Sequence, residues 1–122
     1  METTSLSLNS VAILALAVAA GPAAAMDLRC PATHAGAFLT GVDLFDGPPS
    51  EHADLAPDQY RKTKGGGKSD WEVGYVFQAG RDLFIECQYG EKIPSVVLKA
   101  DKHIRRCSYA SRRDGRNALT CS

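Results

Sequence analysis

The stretch IRRCSYASRRDGRNALTC, residues 104–121, decides the fold class. Two strand-like runs, residues 104–110 and 118–121, flank Arg113-Asp114-Gly115, which is typical of a three-residue hairpin loop with glycine in the left-handed position. Such a loop pairs position 112 with position 116 and sets Cys107 opposite Cys121. At this non-hydrogen-bonded site the Cα atoms approach to about 4.5 Å, within the range that a disulfide tolerates. The stretch therefore predicts an antiparallel hairpin closed by a Cys107–Cys121 disulfide.

The other two cysteines, Cys30 and Cys87, are paired by elimination. Four cysteines in a small exported domain favour two disulfides, and three connectivities are possible. Zinc and redox sites usually place cysteines as Cys-x-x-Cys, whereas here no two cysteines are closer than 14 positions. We therefore predict structural bridges and no metal site.

Residues 1–25 have the pattern of a cleaved secretory signal peptide. Ten apolar residues, 11–20, precede Gly21-Pro22 and the small residues Ala23-Ala24-Ala25. The run is shorter than the roughly 20 apolar residues that span a bilayer, and Asp27-Leu28-Arg29 before Cys30 disfavours lipidation. We expect a soluble periplasmic or secreted protein without a membrane span, in which residues 26–122 form a single β-rich domain.

Two alternating apolar runs, residues 71–77 and 83–89, predict a central hairpin. In a symmetric hairpin Val73 faces Cys87 and Tyr75 faces Ile85. Residues 96–98 predict a further short strand.

The N-terminal half predicts fewer elements. Residues 37–45 predict a strand that ends at Asp46-Gly47-Pro48-Pro49, because proline cannot donate a ladder hydrogen bond. Residues 50–55 predict one helical turn capped by Ser50 or Asp46, and the glycine-rich residues 62–68 predict a flexible basic loop. The expected fold is mainly β, namely a small disulfide-stapled antiparallel meander, sandwich or partly open barrel with one or two short helical turns.

The chain carries 14 basic and 14 acidic residues and so has no formal net charge. This balance predicts neither a nucleic-acid nor a membrane partner. The charges are unevenly distributed, since residues 26–60 hold six acids and one base while residues 102–122 hold six bases and one acid. The basic Arg112, Arg113 and Arg116 are candidates for contact with an acidic partner, although such residues also protect an edge hairpin against aggregation.

One cluster of acidic residues and a histidine is the candidate for an enzymatic site. Asp43, Asp46 and His52, with Asp54 beside them, could form a proton-transfer pair or hold a hard cation. The three histidines are not at ligand spacing, and no serine lies in a nucleophile-elbow context. We expect no cofactor and no catalytic residues.

Several motifs in order along the chain resemble one family. They are Cys30-Pro31, Phe45-Asp46-Gly47-Pro48-Pro49, Leu55-Ala56-Pro57-Asp58, Gly66-Gly67-Lys68, Trp71, residues 83–89 and Arg106-Cys107. This pattern resembles a family of small exported Gram-negative bacterial proteins of unknown function that begin their mature part with Cys-Pro. The resemblance implies a periplasmic or secreted β-rich domain and brings no assigned activity.

The rigid turn Phe45-Asp46-Gly47-Pro48-Pro49 is the second candidate binding element. It would present Phe45 and Asp46 at a strand end, and preorganisation lowers the ordering cost of binding; it is equally a way to end a strand sharply. The sequence favours a monomeric, non-enzymatic periplasmic binding or inhibitor-type protein acting on a protein or envelope component. A small hydrolase or metal-dependent enzyme using Asp43, Asp46 and His52, and a structural envelope component, remain as alternatives.

Overall fold

Short antiparallel strands dominate the fold in a computed structural model that describes residues 27–122. The ten strands are β1 Leu28–Arg29, β2 Thr33–His34, β3 Ala37–Phe38, β4 Gly41–Asp46, β5 Gln59–Thr63, β6 Gly66–Glu72, β7 Leu83–Gln88, β8 Val96–Lys99, β9 Arg106–Arg112 and β10 Ala118–Cys121. Within residues 27–122, a 3₁₀ turn spans Pro49–Glu51 and one short helix, α1, spans Gly74–Gln78. The mainly β prediction is confirmed, and the predicted signal peptide, residues 1–25, lies outside the described residues.

The strands form two principal sheets. One has five strands in the order β1-β10-β9-β6-β5, and the other has three in the order β4-β7-β8, while β2 and β3 form a separate pair. All pairings are antiparallel, and the described strands do not close into a barrel. Among residues 27–122, none of the helices has the length and apolar character needed to cross a membrane.

Both sheets contribute to one core. Alternate residues of the five-stranded sheet, including Trp71, Cys107 and Leu119, are buried in the same cluster as Leu44 and Ile85 of the three-stranded sheet. Because successive strand residues point to opposite faces, the remaining face of the five-stranded sheet carries mostly polar side chains. That of the three-stranded sheet mixes polar residues with Phe45, Phe84 and Val97. Burying one large aliphatic side chain contributes roughly 1.5–3 kcal/mol, so this shared cluster is the main stabilising feature.

The C-terminal hairpin has the register that its sequence predicts. Cys107 pairs with Cys121 across β9 and β10, and Gly115 has the left-handed φ of 83°. The structure joins Cys107 to Cys121 and Cys30 to Cys87, with Cα–Cα distances of 4.0 and 5.9 Å. The second bridge ties the N-terminal segment to β7, beside the hydrogen bond that the Tyr89 hydroxyl donates to the Pro31 carbonyl.

The predicted hairpin of residues 71–77 with 83–89 is wrong. Trp71 lies in β6, which pairs with β5 and β9 and ends at Glu72. The chain then turns into α1, where Tyr75 is 52% exposed. β7 pairs instead with β4 and β8, so Ile85 lies opposite Leu44 and Leu98. The alternating pattern predicts a strand over residues 71–77, but the apolar residues at 73, 76 and 77 also have the i, i+3, i+4 spacing of a helix.

Three boundaries differ from the predictions. Residues 62–68 form no flexible loop: only residues 64 and 65 make a turn, and the others belong to β5 and β6. The predicted strand 37–45 is divided into β3 and β4. The helical turn near residue 50 follows Pro48 and has no side-chain cap hydrogen bond, since the Asp46 carboxylate binds Arg81 instead.

The first glycine of β6 permits a close approach between strands. A Cβ at Gly66 would overlap the backbone carbonyl oxygen of Ser111 in β9. Unlike a flexible side chain, this backbone group cannot move without disturbing the ladder between β6 and β9. Gly66 is therefore required by the packing of two strands rather than by a turn.

Removing either disulfide should destabilise the domain, and the longer loop should cost more. The bridges join residues 14 and 57 positions apart. The chain-entropy model gives about 3 kcal/mol for the Cys107→Ala/Cys121→Ala variant and about 4 kcal/mol for the Cys30→Ala/Cys87→Ala variant. Urea unfolding under non-reducing conditions measures both losses. An equal or larger loss for the first variant would contradict this ordering.

Gly66→Ala should lower the free energy of unfolding by about 1–3 kcal/mol, as expected for overpacking. Gly74→Ala is the matched control, because its added methyl group would meet only the flexible Arg105 side chain. Alanine is favoured over glycine in a helix by up to about 1 kcal/mol, so the control should be neutral or stabilised. Equal urea midpoints for the two variants would show that the close approach at Gly66 is unimportant.

Candidate functional site

The turn after β4 is clamped by one arginine. The Arg81 guanidinium donates through Nε to Asp46 Oδ1 at 3.0 Å and through Nη2 to Glu51 Oε1 at 2.5 Å. These hydrogen bonds, with the Glu51 contact as the larger cause, raise the pKa of Arg81 above its ordinary value. The backbone N–H of Gly47 donates to the Asp82 carbonyl at 2.8 Å. The turn is thus held by contacts within the domain.

The side chains predicted to face a partner from this turn have internal contacts. Phe45 is only 8% exposed, and it pairs with Phe84 on one side and with Asp54 on the other. Asp46 is occupied by Arg81, and Gly47 is buried. Pro48 is exposed and Pro49 is half-buried. Use of this turn for binding stays a prediction. In the structure, the side chains of Phe45 and Asp46 make contacts that hold the turn in place.

The candidate catalytic residues do not come together. Asp43 and Asp46 lie three positions apart on β4, so their side chains leave opposite faces of the strand. Asp43 Oδ2 accepts a hydrogen bond from Gln88 Nε2 at 2.7 Å. His52 is exposed and lies beyond the 3₁₀ turn with a left-handed φ of 57°. Within the described residues there is no group of three histidine, cysteine or acidic side chains that could hold a metal ion.

A shallow charged groove of about 280 Å³ runs across the outer face of the five-stranded sheet. Four of its six charged side chains have a local partner: Glu72 pairs with Arg106 at 2.5 Å, Ser108 donates to Asp70 at 2.5 Å, and Asp58 accepts the Glu72 backbone N–H at 2.6 Å. Its lining is polar, made up of Asp58, Gln59, Arg61, Lys68, Asp70, Glu72, Arg106 and Ser108. Small-molecule pockets are usually larger and mostly apolar, so the groove is better suited to contact with a polar surface.

The third feature lies where two hairpin tips meet. The β5–β6 turn and the β9–β10 turn are adjacent, because the Arg113 backbone N–H donates to the Gly65 carbonyl at 2.7 Å. We call the exposed basic residues of these tips the basic end: Lys62, Lys64, Arg112, Arg113 and Arg116. The sequence singles out the three arginines, but Lys62 and Lys64 join them only through the pairing of β6 with β9.

Tyr60 lies beside the basic end and was not predicted as a site residue. It shares a face of β5 with Lys62, two positions away, and it is 64% exposed. Its ring covers Gly67, where an added Cβ would meet the Tyr60 ring carbon Cε1 at 2.9 Å. An aromatic residue in an alternating strand usually indicates core, so the sequence carries no signal for this exposed position.

Comparisons with known proteins give one match. The family model of the type VI secretion system Tli immunity protein matches residues 32–122, which include the basic end and every strand described above except β1. Searches of the curated proteins and of the solved structures return no significant match. The matched region covers most of the chain and nearly all of the described domain. The chain therefore belongs to the type VI secretion system Tli immunity protein family, a family of small bacterial proteins.

Proposed function

We propose that this chain is an immunity protein that binds a toxin of the type VI secretion system and neutralises it without catalysis, in the periplasm after export. The family match over residues 32–122 is the observation that carries the proposal. An immunity protein implies a protein partner, namely the cognate toxin. The sequence leaves open whether the partner is a protein or an envelope component, and we propose that it is a protein.

The arrangement of side chains supports inhibition by binding. Asp43, Asp46 and His52, on which an enzymatic function would rest, are held in separate contacts or exposed separately. Inhibition by occlusion requires only a surface that is complementary to the partner and stiff enough to limit the ordering cost of association. A small scaffold with two disulfides and a shared core meets the second requirement.

The disulfides also support the periplasmic part of the proposal. Bridges persist in oxidising compartments and are rare in the cytosol, and all four cysteines of the described domain are paired. In a reduced domain of this size, the loss of both bridges would remove a large fraction of the 5–15 kcal/mol typical of net stability. The domain is therefore suited to folding after export.

Protection should depend on the first 25 residues. In a sensitive bacterial host that exports each candidate type VI toxin in turn, the full chain should preserve viability, whereas a chain beginning at Met26 should not. Replacing residues 1–25 with an established export signal should restore protection, which controls for loss of expression. Equal protection by the chain that begins at Met26 would contradict a periplasmic site of action.

Neutralisation should be stoichiometric. Titration of the purified toxin should end at a fixed molar ratio, and mass spectrometry should recover the toxin with unchanged mass. The Asp43→Asn/His52→Asn variant should protect as well as the wild type, since asparagine tolerates the left-handed φ at position 52. Turnover of excess toxin by substoichiometric protein, lost in this variant, would instead establish the enzymatic alternative.

A further inference from the structure

The basic end is fixed by backbone pairing. Gly66 pairs with Arg112 and Gly67 with Ser111 in the ladder between β6 and β9, and the Arg113 N–H reaches across to the Gly65 carbonyl. The two tips belong to segments about fifty positions apart in the sequence. Their basic residues consequently lie at set positions on one rigid sheet rather than on two independent loops.

Most of the charge at the basic end has no counter-charge within the described domain. The single acid among these tips, Asp114, pairs with Arg112 at 2.6 Å and accepts the Arg116 backbone N–H at 3.0 Å. That backbone hydrogen bond is the main cause of the lowered pKa of Asp114. Among residues 27–122, the side chains of Lys62, Lys64, Arg113 and Arg116 form no ion pair.

Elsewhere in the described domain some cations form ion pairs and others do not. Arg81 binds two carboxylates, Arg106 binds Glu72, and Lys99 binds Asp82. The exposed Arg61, Lys92 and Lys102 form no ion pair with any described residue, so the basic end is distinguished by the number of basic residues on two adjacent tips. The chain as a whole has no net charge, so the concentration of positive charge at the two tips is a local property. Like charges held close together repel one another, and an acidic partner would relieve that repulsion.

We propose that the basic end, with Tyr60 as its aromatic anchor, is the surface that binds an acidic face of the toxin; this inference rests on the proposed function. Arginine and tyrosine are the residue types that most often dominate the energetics of protein interfaces. Positive charges fixed at the rim accelerate encounter with an acidic surface. The Tyr60 ring supplies contact area at little entropic cost because it already lies against Gly67.

The geometry favours a protein over an anionic membrane as the partner. Peripheral proteins that bind bilayers combine basic residues with apolar side chains that insert below the headgroups. The described domain exposes four large hydrophobic residues. Among them, Tyr60 is the residue two positions from Lys62 of the basic end, and its ring covers the sheet at Gly67. A ring in this position offers a flat face to a packed protein surface and is poorly placed to insert into lipid.

The test compares two charge reversals of equal size. Lys64→Glu/Arg113→Glu changes two exposed turn residues of the basic end, and Lys92→Glu/Lys102→Glu changes two exposed turn residues elsewhere. Association and dissociation rates with the purified toxin are measured for both variants, for Tyr60→Ala and for the wild type, at low and high salt. Vesicles containing one third phosphatidylglycerol provide the membrane arm, and circular dichroism checks folding.

The basic-end variant should associate about tenfold more slowly than the wild type at low salt. The difference should shrink at 1 M salt, where the screening length falls to about 3 Å. Tyr60→Ala should mainly accelerate dissociation, and the control reversal should behave as the wild type.

Each other outcome overturns the inference in a recognisable way. Wild-type kinetics for the basic-end variant, or equal losses for both reversals, would exclude this surface and leave the proposed function intact. Vesicle binding that is lost only in the basic-end variant, with toxin binding unchanged, would assign the surface to a membrane. Failure of the wild type to bind any candidate toxin would overturn the proposed function, and this inference with it.

Discussion

The pairing of β6 with β9 is the constraint on which the rest of the molecule depends. It places Trp71 opposite Cys107 on the buried face, so the core and the C-terminal disulfide share one strand register. It also places Gly66 against Ser111, where only a residue without a side chain fits. The same ladder, continued to its end, brings the two basic hairpin tips together. Stability and surface charge therefore follow from a single non-local contact.

The features that the sequence predicts well are those fixed by local geometry. Arg113-Asp114-Gly115 defines a loop of known length, and the opposition of Cys107 and Cys121 follows from counting outward along two strands. The end of β4 is also predictable, because Gly47 has a left-handed φ of 94° and Pro48 has no N–H to donate to a ladder. In each case the decisive residues lie no more than 14 positions apart, so turn chemistry alone is sufficient.

The errors arise where distant segments compete for the same strand. β7 has an alternating pattern that would satisfy several neighbours, and its actual partners β4 and β8 are chosen by the shared core rather than by the nearest turn. The glycines of residues 65–67 predict a flexible loop, whereas in the structure Gly66 is needed for close strand approach and Gly67 lies under Tyr60. Composition cannot distinguish a glycine that permits motion from one that permits contact.

The candidate site also combines features that local sequence predicts with features that depend on pairing between distant segments. Sequence alone indicates that residues 112–116 are basic and that residues 62–68 are basic, but their proximity is a property of the sheet. A chain with no net charge can still concentrate positive charge at one end if its acidic residues lie elsewhere. Asp43 and Glu86, for example, lie on the outer face of the three-stranded sheet. In the binding role that we propose for the basic end, such segregation favours specificity, because fixed positive charges attract a partner with matching acidic groups and repel one with basic groups. In that role, rigidity at the two tips contributes to selective recognition as well as to stability.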